Sequence, residues 1–286
     1  MVNRTYGEVL NWASSFLEKC GKDTHIAAYL IRERQQWTQT DLLIHLRQSM
    51  PEQAIYQLEH DLQRIEQDYP AQYIIGECDF YGERLIVTED TLIPRPETEE
   101  LVALCLERFP NTKEELTVVD VGTGTGAIAL ALKRHRPHWH VIGLDISKNA
   151  LNVAKQNAEK LQLDVVFIES DLLQSFQGKA DIVISNPPYI ASSEWSVMDE
   201  SVLKYEPTTA LFAENEGYAI YHQLFKELPR VMGEKGALFL EHGYLQQAQL
   251  IADVKKKWPD SEVKGYQDMA GQDRMIEMSW NRKKAE

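Results

Sequence analysis

What this chain lacks narrows its class before any motif is read. Three cysteines (Cys20, Cys78 and Cys105) in 286 residues are too few and too far apart for a disulfide framework. They fit reduced thiols in a cytosol. No apolar run approaches the roughly 20 residues that a membrane-spanning helix needs. Met1 to Cys20 also lacks the basic-then-apolar order of a secretory leader. The expectation is a cytoplasmic protein with no membrane partner. Positive charge is in deficit: 30 Lys and Arg stand against 44 Asp and Glu, a formal net charge of −14. Such a surface repels phosphate backbones, so direct nucleic-acid binding is not expected. The basic clusters Lys133-Arg134-His135-Arg136 and Lys255-Lys256-Lys257 read as solvated helix ends, where cations suit the helix dipole. Arg282-Lys283-Lys284 reads as a frayed tail. His135, His138 and His140 are separated by Pro137 and a strand start, and no cysteine or carboxylate cluster joins them. No metal site is expected there.

With 43% hydrophobic residues, the chain can build a sizeable core. Residues 1–69 carry a helical pattern. Val9, Leu10, Ala13, Phe16 and Leu17 recur at three- and four-residue steps, followed by Ile26, Tyr29 and Leu30. Gly21 suits a helix end, Asp23 and Thr40 are candidate N-caps, and Pro51-Glu52 opens a helix with Ile55, Leu58, Leu62 and Ile65 on one face. This predicts a small N-terminal helical bundle. Residues 70–92 form a connector, in which Phe80 to Ile86 reads as a short hairpin with Gly82 at its turn.

Residues 93–286 change grammar. A helix runs from Pro96 to Phe109. Short apolar strands then follow at Leu116–Val121, His140–Leu144, Val165–Glu169, Ala180–Ser185 and Ala237–Glu241, with helical patterns between most of them. That alternation predicts an α/β fold with parallel strands and crossover helices. Glu262–Tyr266 and Met275–Trp280 have no helix between them, so they should close the seven-stranded sheet as an antiparallel terminal hairpin.

The chemistry-bearing motifs fall at strand ends. Ile184-Ser185-Asn186-Pro187-Pro188-Tyr189-Ile190 carries an apolar strand into two prolines, which forbid helix and ladder pairing. The Asn186 and Pro187 carbonyls should then point into a cleft beside the Asn186 amide oxygen, with the Tyr189 ring as a wall. Two acceptors of this kind suit a substrate –NH2 group. Taken alone, a plain Pro-Pro turn explains the run equally well. Upstream, Asp120-Val121-Gly122-Thr123-Gly124-Thr125-Gly126 closes the first strand and opens a helix at Ala127. Its GxGxG spacing departs from the GxGxxG of dinucleotide sites, which weakens a reading as a nicotinamide-dependent oxidoreductase. Asp145 closes the next strand, where an acid can accept hydrogen bonds from both ribose hydroxyls. Ser170-Asp171-Leu172 follows the third strand, where Asp171 can meet an adenine amine and Leu172 can cover the ring. Each feature alone has an ordinary reading as a turn or a cap. Four of them at one sheet edge make a ligand site.

With these motifs, the chain resembles the class I methyltransferases that use S-adenosylmethionine. Within them it resembles the release factor glutamine methyltransferases. The likeness extends to Pro70–Gly76, Phe80-Tyr81-Gly82, Leu92-Ile93-Pro94-Arg95-Pro96-Glu97-Thr98-Glu99, Glu206-Pro207 through Gly217, Leu240-Glu241-His242-Gly243-Tyr244 and Asp268 through Arg274. Leu172 departs from it, standing where some relatives carry an aromatic. The resemblance implies a Rossmann-like methyltransferase sheet and S-adenosylmethionine as cofactor. It implies cofactor contacts from Asp120, Gly122, Thr123, Gly124, Thr125, Gly126, Asp145, Asp171, Leu172 and Asn186. It further implies that Asn186, Pro187, Pro188 and Tyr189 bind the substrate, with Asn186, Pro187 and Tyr189 acting in catalysis. The implied substrate is the glutamine of the Gly-Gly-Gln tripeptide in peptide chain release factors, with the helical domain recognising that protein partner. Two alternatives stand beside it: methylation of an exocyclic base amine in DNA or RNA, and a catalytically silent cofactor-binding module.

Overall fold

The computed structural model describes residues 4–110, 113 and 115–281, so the basic tail at Arg282-Lys283-Lys284 lies outside the described residues. The contacts divide the chain into two units. One comprises the described residues of Met1–Glu77 with Asp199–Tyr205, the other those of Cys78–Met198 with Glu206–Glu286.

In the first unit, five helices follow one another: α1 (Tyr6–Lys19), α2 (His25–Gln35), α3 (Gln39–His45), α4 (Glu52–Glu66) and α5 (Ala71–Ile75). Thr5 caps α1 through a reciprocal box with Glu8: Glu8 N–H donates to Thr5 Oγ1 at 3.3 Å and Thr5 N–H donates to Glu8 Oε2 at 2.7 Å. Thr38, not Thr40, caps α3, because Asp41 lies three residues beyond Thr38 and closes the same box. At α2 the cap position is Thr24, and the Asp23 carboxylate only accepts from His25 N–H at 2.9 Å. Val9, Ala13, Leu17, Leu30, Leu58 and Leu62 form the centre of this unit. A buried carboxylate, Asp61, is met there by the Arg34 guanidinium through two bonds of 3.0 Å. The later helix α9 (Glu200–Tyr205) belongs to this unit. Lys204 and Lys22 both pair with Asp68, and the Tyr205 hydroxyl donates to the Gln67 carbonyl at 3.0 Å.

A hairpin, β1 (Glu77–Phe80) and β2 (Glu83–Ile86), follows α5 and from Cys78 onward belongs to the second unit. Its two turn residues, Tyr81 and Gly82, take φ of 49° and 81°. Paired left-handed residues match the twist of the flanking strands. The main sheet holds β3 (Thr117–Val121), β4 (His140–Asp145), β5 (Val166–Glu169), β6 (Ala180–Ser185), β7 (Met232–Glu241), β8 (Glu262–Gln267) and β9 (Asp273–Asn281), in the order β5-β4-β3-β6-β7-β9-β8. β5, β4, β3, β6 and β7 run parallel, and β9 pairs antiparallel with both β7 and β8. Alternation along the strands sorts the core. Val118, Ile182, Ile184, Ala237 and Phe239 face the layer of α6 (Pro96–Arg108) and α7 (Ala127–His135). Val119, Val183, Leu238 and Leu240 face α11 (Ala219–Val231) and α12 (Gln247–Lys257). The helix α8 (Lys148–Leu161) follows β4, and the short α10 (Thr208–Leu211) precedes α11.

The sequence placed the seventh strand's partner, β7, only from Ala237. The strand begins five residues earlier, at Met232, in a polar and glycine-rich stretch that carries no alternation. Gly236 is needed there, since a Cβ would lie 2.3 Å from the Asp181 carbonyl oxygen.

Candidate functional site

The chain leaves β3 on one side towards β4 and returns to β3's other side with β6. That reversal opens a crevice at the carboxyl ends of the strands. Register aligns the ends: Val121 stands level with Leu144 of β4 and with Ser185 of β6, and Asp145 stands level with Glu169. The glycine loop after β3 and the Asn-Pro-Pro-Tyr turn after β6 therefore share one edge.

Within the loop, Gly122, Gly124 and Gly126 take φ of 73°, 54° and 82°, a region that side chains disfavour. A Cβ on Gly122 or Gly124 would meet nothing within 4 Å, so open space lies over that backbone. Asp120, at the end of β3, is fully buried. Its Oδ2 accepts from the Thr123 hydroxyl at 2.6 Å and from Ala129 N–H at 3.2 Å. Its Oδ1 is buried, with no hydrogen-bond partner among the described residues. Burial pushes this carboxyl up to about 7, with a smaller push from Asp145. Asp145 accepts Gly124 N–H at 2.8 Å on one oxygen and Ser147 N–H at 2.9 Å on the other, and burial raises its pKa as well. Each of its oxygens keeps a second lone pair. Thr125 is buried, and its carbonyl accepts from Asn157 Nδ2 at 3.0 Å. Asn157 also brackets Ile86 of β2 with bonds of 2.7 and 3.0 Å, so the hairpin braces the glycine loop. Asp171 is exposed with its carboxylate on Gln174 Nε2 at 2.8 Å. Leu172 sits at φ 48° and packs against the core.

Around the Asn-Pro-Pro-Tyr turn the structure gathers residues from distant segments. Asn186 Nδ2 donates to Thr98 Oγ1 at 2.9 Å, and the Thr98 hydroxyl donates to Glu241 Oε2 at 2.7 Å. The other oxygen of Glu241 accepts the Tyr189 hydroxyl at 3.3 Å. The Tyr189 carbonyl accepts from Gln246 Nε2 at 3.0 Å, while Gln246 Oε1 accepts from Gly243 N–H at 3.0 Å. Gly217 presses on the same carbonyl so closely that a Cβ would lie 2.1 Å away. Arg95 pairs with Glu206, whose other oxygen accepts Ile93 N–H at 3.1 Å. Arg274 donates to Asp268 and to the His242 carbonyl. Among the described residues, no donor bonds Asn186 Oδ1 or the Pro187 carbonyl. Pro187 is buried, and Pro188 and Tyr189 are half-buried.

Glu241 carried no role in the sequence reading, and Thr98 was read with Arg95 and Glu97 only as a helix start with caps or a shelf next to the cofactor. A usable signal existed for Glu241, since it is an acid closing a parallel strand, as Asp145 is. Among the described residues, no three His, Cys, Asp or Glu side chains gather as metal ligands.

Comparison with known proteins follows the same division. Residues 8–76 match the PrmC N-terminal domain and residues 98–204 the methyltransferase small domain. The release factor glutamine methyltransferase of Enterococcus faecalis is 49% identical over 95% of this chain and 98% of its own length. The chain belongs to the release factor glutamine methyltransferase family. A second member, from Staphylococcus aureus, is 38% identical over 98% of this chain and all of its own. Among solved structures, the T. thermophilus 16S rRNA N2 G1207 methyltransferase in complex with AdoMet and guanosine is similar in fold. It has a TM-score of 0.51 and 15% identity, over 72% of this chain and 50% of that one. The seven-stranded sheet with its terminal antiparallel hairpin is thus a methyltransferase sheet, and the protein is a methyltransferase. No helix among the described residues is long and apolar enough to cross a membrane.

Proposed function

We propose that this protein transfers a methyl group from S-adenosylmethionine to the side-chain amide nitrogen of the glutamine in the Gly-Gly-Gln tripeptide of peptide chain release factors. The modification falls on the translation termination machinery of the cytoplasm. The observation that carries the reading is the Asn186 amide, whose Nδ2 is held on Thr98 while no donor among the described residues bonds its Oδ1. The names of its relatives supply the substrate class.

The crevice fits the cofactor on three counts. The buried and unpartnered Asp120 Oδ1 suits an ammonium group, the open space over Gly122 and Gly124 admits a ligand against backbone, and Asp145 retains lone pairs for a ribose diol. Thr123 and Thr125 shape the loop, and Leu172, Asp171 and Asn186 border it. When bound, the cofactor supplies an electrophilic methyl carbon on a positively charged sulfur. The protein's task is then to present a poor nucleophile, because the amide lone pair is delocalised into its carbonyl. Asn186 Oδ1 and the Pro187 carbonyl accept the two N–H groups of the substrate and orient its nitrogen. Such positioning supplies several kcal/mol, on the order of the gain from well-oriented reactants. Positive charge grows on that nitrogen as the bond forms, and both acceptors then bind it more strongly than in the ground state. Tyr189 and Pro188 wall the flat amide, and the Tyr189 ring face favours developing positive charge. No strong base is required, since the nitrogen proton becomes acidic once the methyl is attached.

The helical unit is the proposed docking surface for the release factor. Leu43, Ile44 and Tyr56 are 59%, 65% and 72% exposed there. Two members of the basic cluster at 133–136 are committed to backbone carbonyls. Lys133 donates to the Pro137 and Trp139 carbonyls, and Arg136 to those of Leu106 and Phe109.

Mass spectrometry of a release factor incubated with the protein and S-adenosylmethionine tests this. The expected product is one methyl on the tripeptide glutamine, absent with Asn186→Ala, which retains much of its cofactor affinity. Label entering an oligonucleotide and not the release factor would overturn the reading.

A further inference from the structure

An asparagine amide is nearly symmetric in shape, and only one of its two orientations can hold a substrate N–H. Something must choose between them. The choice traces to a buried hydroxyl. Thr98, on the first turn of α6, is 5% exposed, and Glu241, at the end of β7, is 1% exposed. A hydroxyl has one proton to give, and an ionised carboxylate can only accept. Thr98 gives its proton to Glu241 Oε2 at 2.7 Å, so only lone pairs face Asn186 at 2.9 Å. Asn186 must answer with Nδ2, which turns Oδ1 outward.

We propose that Thr98 and Glu241 are positioning residues that fix the Asn186 carboxamide with its oxygen towards the substrate. This rests on the reading that Asn186 Oδ1 holds the target amide. The same carboxylate anchors the Tyr189 hydroxyl at 3.3 Å, and the Glu241 carbonyl accepts the Tyr221 hydroxyl at 2.8 Å. One buried acid thereby orients both functional side chains of the turn. Protonation of Glu241 reverses the chain of donors: the acid donates to Thr98, Thr98 donates to Asn186 Oδ1, and the amide turns its nitrogen outward. Thr98 and Glu97 face Glu241 from α6, Tyr189 from the turn and Arg274 from β9, with Tyr221 and His242 also charge-sensitive neighbours. Burial outweighs Arg274 and holds the Glu241 carboxyl at about 7.

Three variants test the assignment: Thr98→Val removes the hydroxyl at constant shape, Thr98→Ser retains it, and Glu241→Gln removes the second acceptor oxygen. Thr98→Val is expected to lower kcat by about thirtyfold, a loss typical of misplaced reactants. Its cofactor affinity and its KM for release factor should stay within about twofold of the parent. Thr98→Ser should keep most of kcat. Glu241→Gln should lower kcat and abolish the fall of kcat on the acid side of about pH 7, since no proton remains to be bound. The amide itself is read independently by 15N NMR of selectively labelled asparagine. The Asn186 –NH2 should show one slowly exchanging proton in the parent and in Thr98→Ser, lost in Thr98→Val. Parental kcat in Thr98→Val, or equal losses in the Ser and Val variants, overturns the proposal. A protected amide in a protein that leaves release factor unmethylated sinks the substrate reading and leaves the orientation intact.

Discussion

Cofactor affinity should climb steeply between about pH 5.5 and about pH 7, and the reason is one buried carboxyl. Asp120 titrates at about 7 because burial outweighs the hydrogen bonds from Thr123 and Ala129. Its free oxygen can meet an ammonium group only when ionised. The ionised share is roughly 3% at pH 5.5 and about 50% at pH 7, so affinity should rise about fifteenfold, or ~1.6 kcal/mol. The ligand's own α-amino group, with an ordinary pKa near ~7.8, stays charged across most of that window and subtracts little. Calorimetric titration in two buffers of different ionisation heat gives both quantities. At about pH 6, close to one proton should leave per ligand bound. Asp120→Asn should bind more weakly at neutral pH, without the slope and without the proton. An affinity flat to within about twofold across the window, with no proton released, would refute the role given to Asp120. The same shift sets the sign for stability. A carboxyl raised in the folded state stabilises the ligand-free fold fully only below its ordinary value, near ~3.9, and that contribution is lost as pH rises through about 7. Glu241 adds a shift of the same sign. The ligand-free melting temperature should therefore fall from about pH 5 to about pH 8 on account of this pair, and cofactor should recover the Asp120 part.

Three further outcomes follow from the packing. Gly143→Ala would place a Cβ 2.6 Å from the Phe167 ring and 2.8 Å from Thr123 Oγ1. It should cost about 1–3 kcal/mol and displace Thr123 from Asp120, seen as a lower melting temperature with weakened cofactor binding; an unchanged melt contradicts this. Arg95→Leu strands the buried Glu206 carboxylate without its cation and should destabilise the second unit by about 3 kcal/mol in chemical denaturation. Ile44→Glu with Tyr56→Glu should raise KM for release factor several-fold and leave the cofactor Kd alone; an unaltered KM removes the helical unit from docking.

Much of the sheet was legible in the sequence, because strands buried on both faces read as apolar runs and the terminal hairpin betrays itself by the missing helix between its arms. Ala180–Ser185 is found at its predicted bounds. What escaped was structure held by geometry instead of periodicity. The first half of β7 is polar and glycine-rich, and it is a strand because β9 pairs with it as far as Lys235. The Thr38 cap was missed for Thr40, although the three-residue step to Asp41 distinguishes them. The site divides the same way. Asp120, Asp145 and Asn186 announce themselves at strand ends. Thr98 sits on a helix far along the chain from its partners, and no spacing rule links it to Glu241. The placement of α9 with the helical unit has no signature in its six residues either; it follows from Lys204 and Tyr205 finding partners at Asp68 and Gln67.

The Asn-Pro-Pro-Tyr turn has almost no partners nearby in sequence. Its bonds reach back 88 residues to Thr98 and forward 52 and 57 residues to Glu241 and Gln246. Contacts so distant form late, after the chain entropy of closing those loops has been overcome. A nascent chain halted before β7 therefore carries the whole glycine loop and the whole turn, yet is mute as a catalyst. Turnover in this protein is thus expected only once synthesis has run past residue 246 and the end of β7 has docked against the turn.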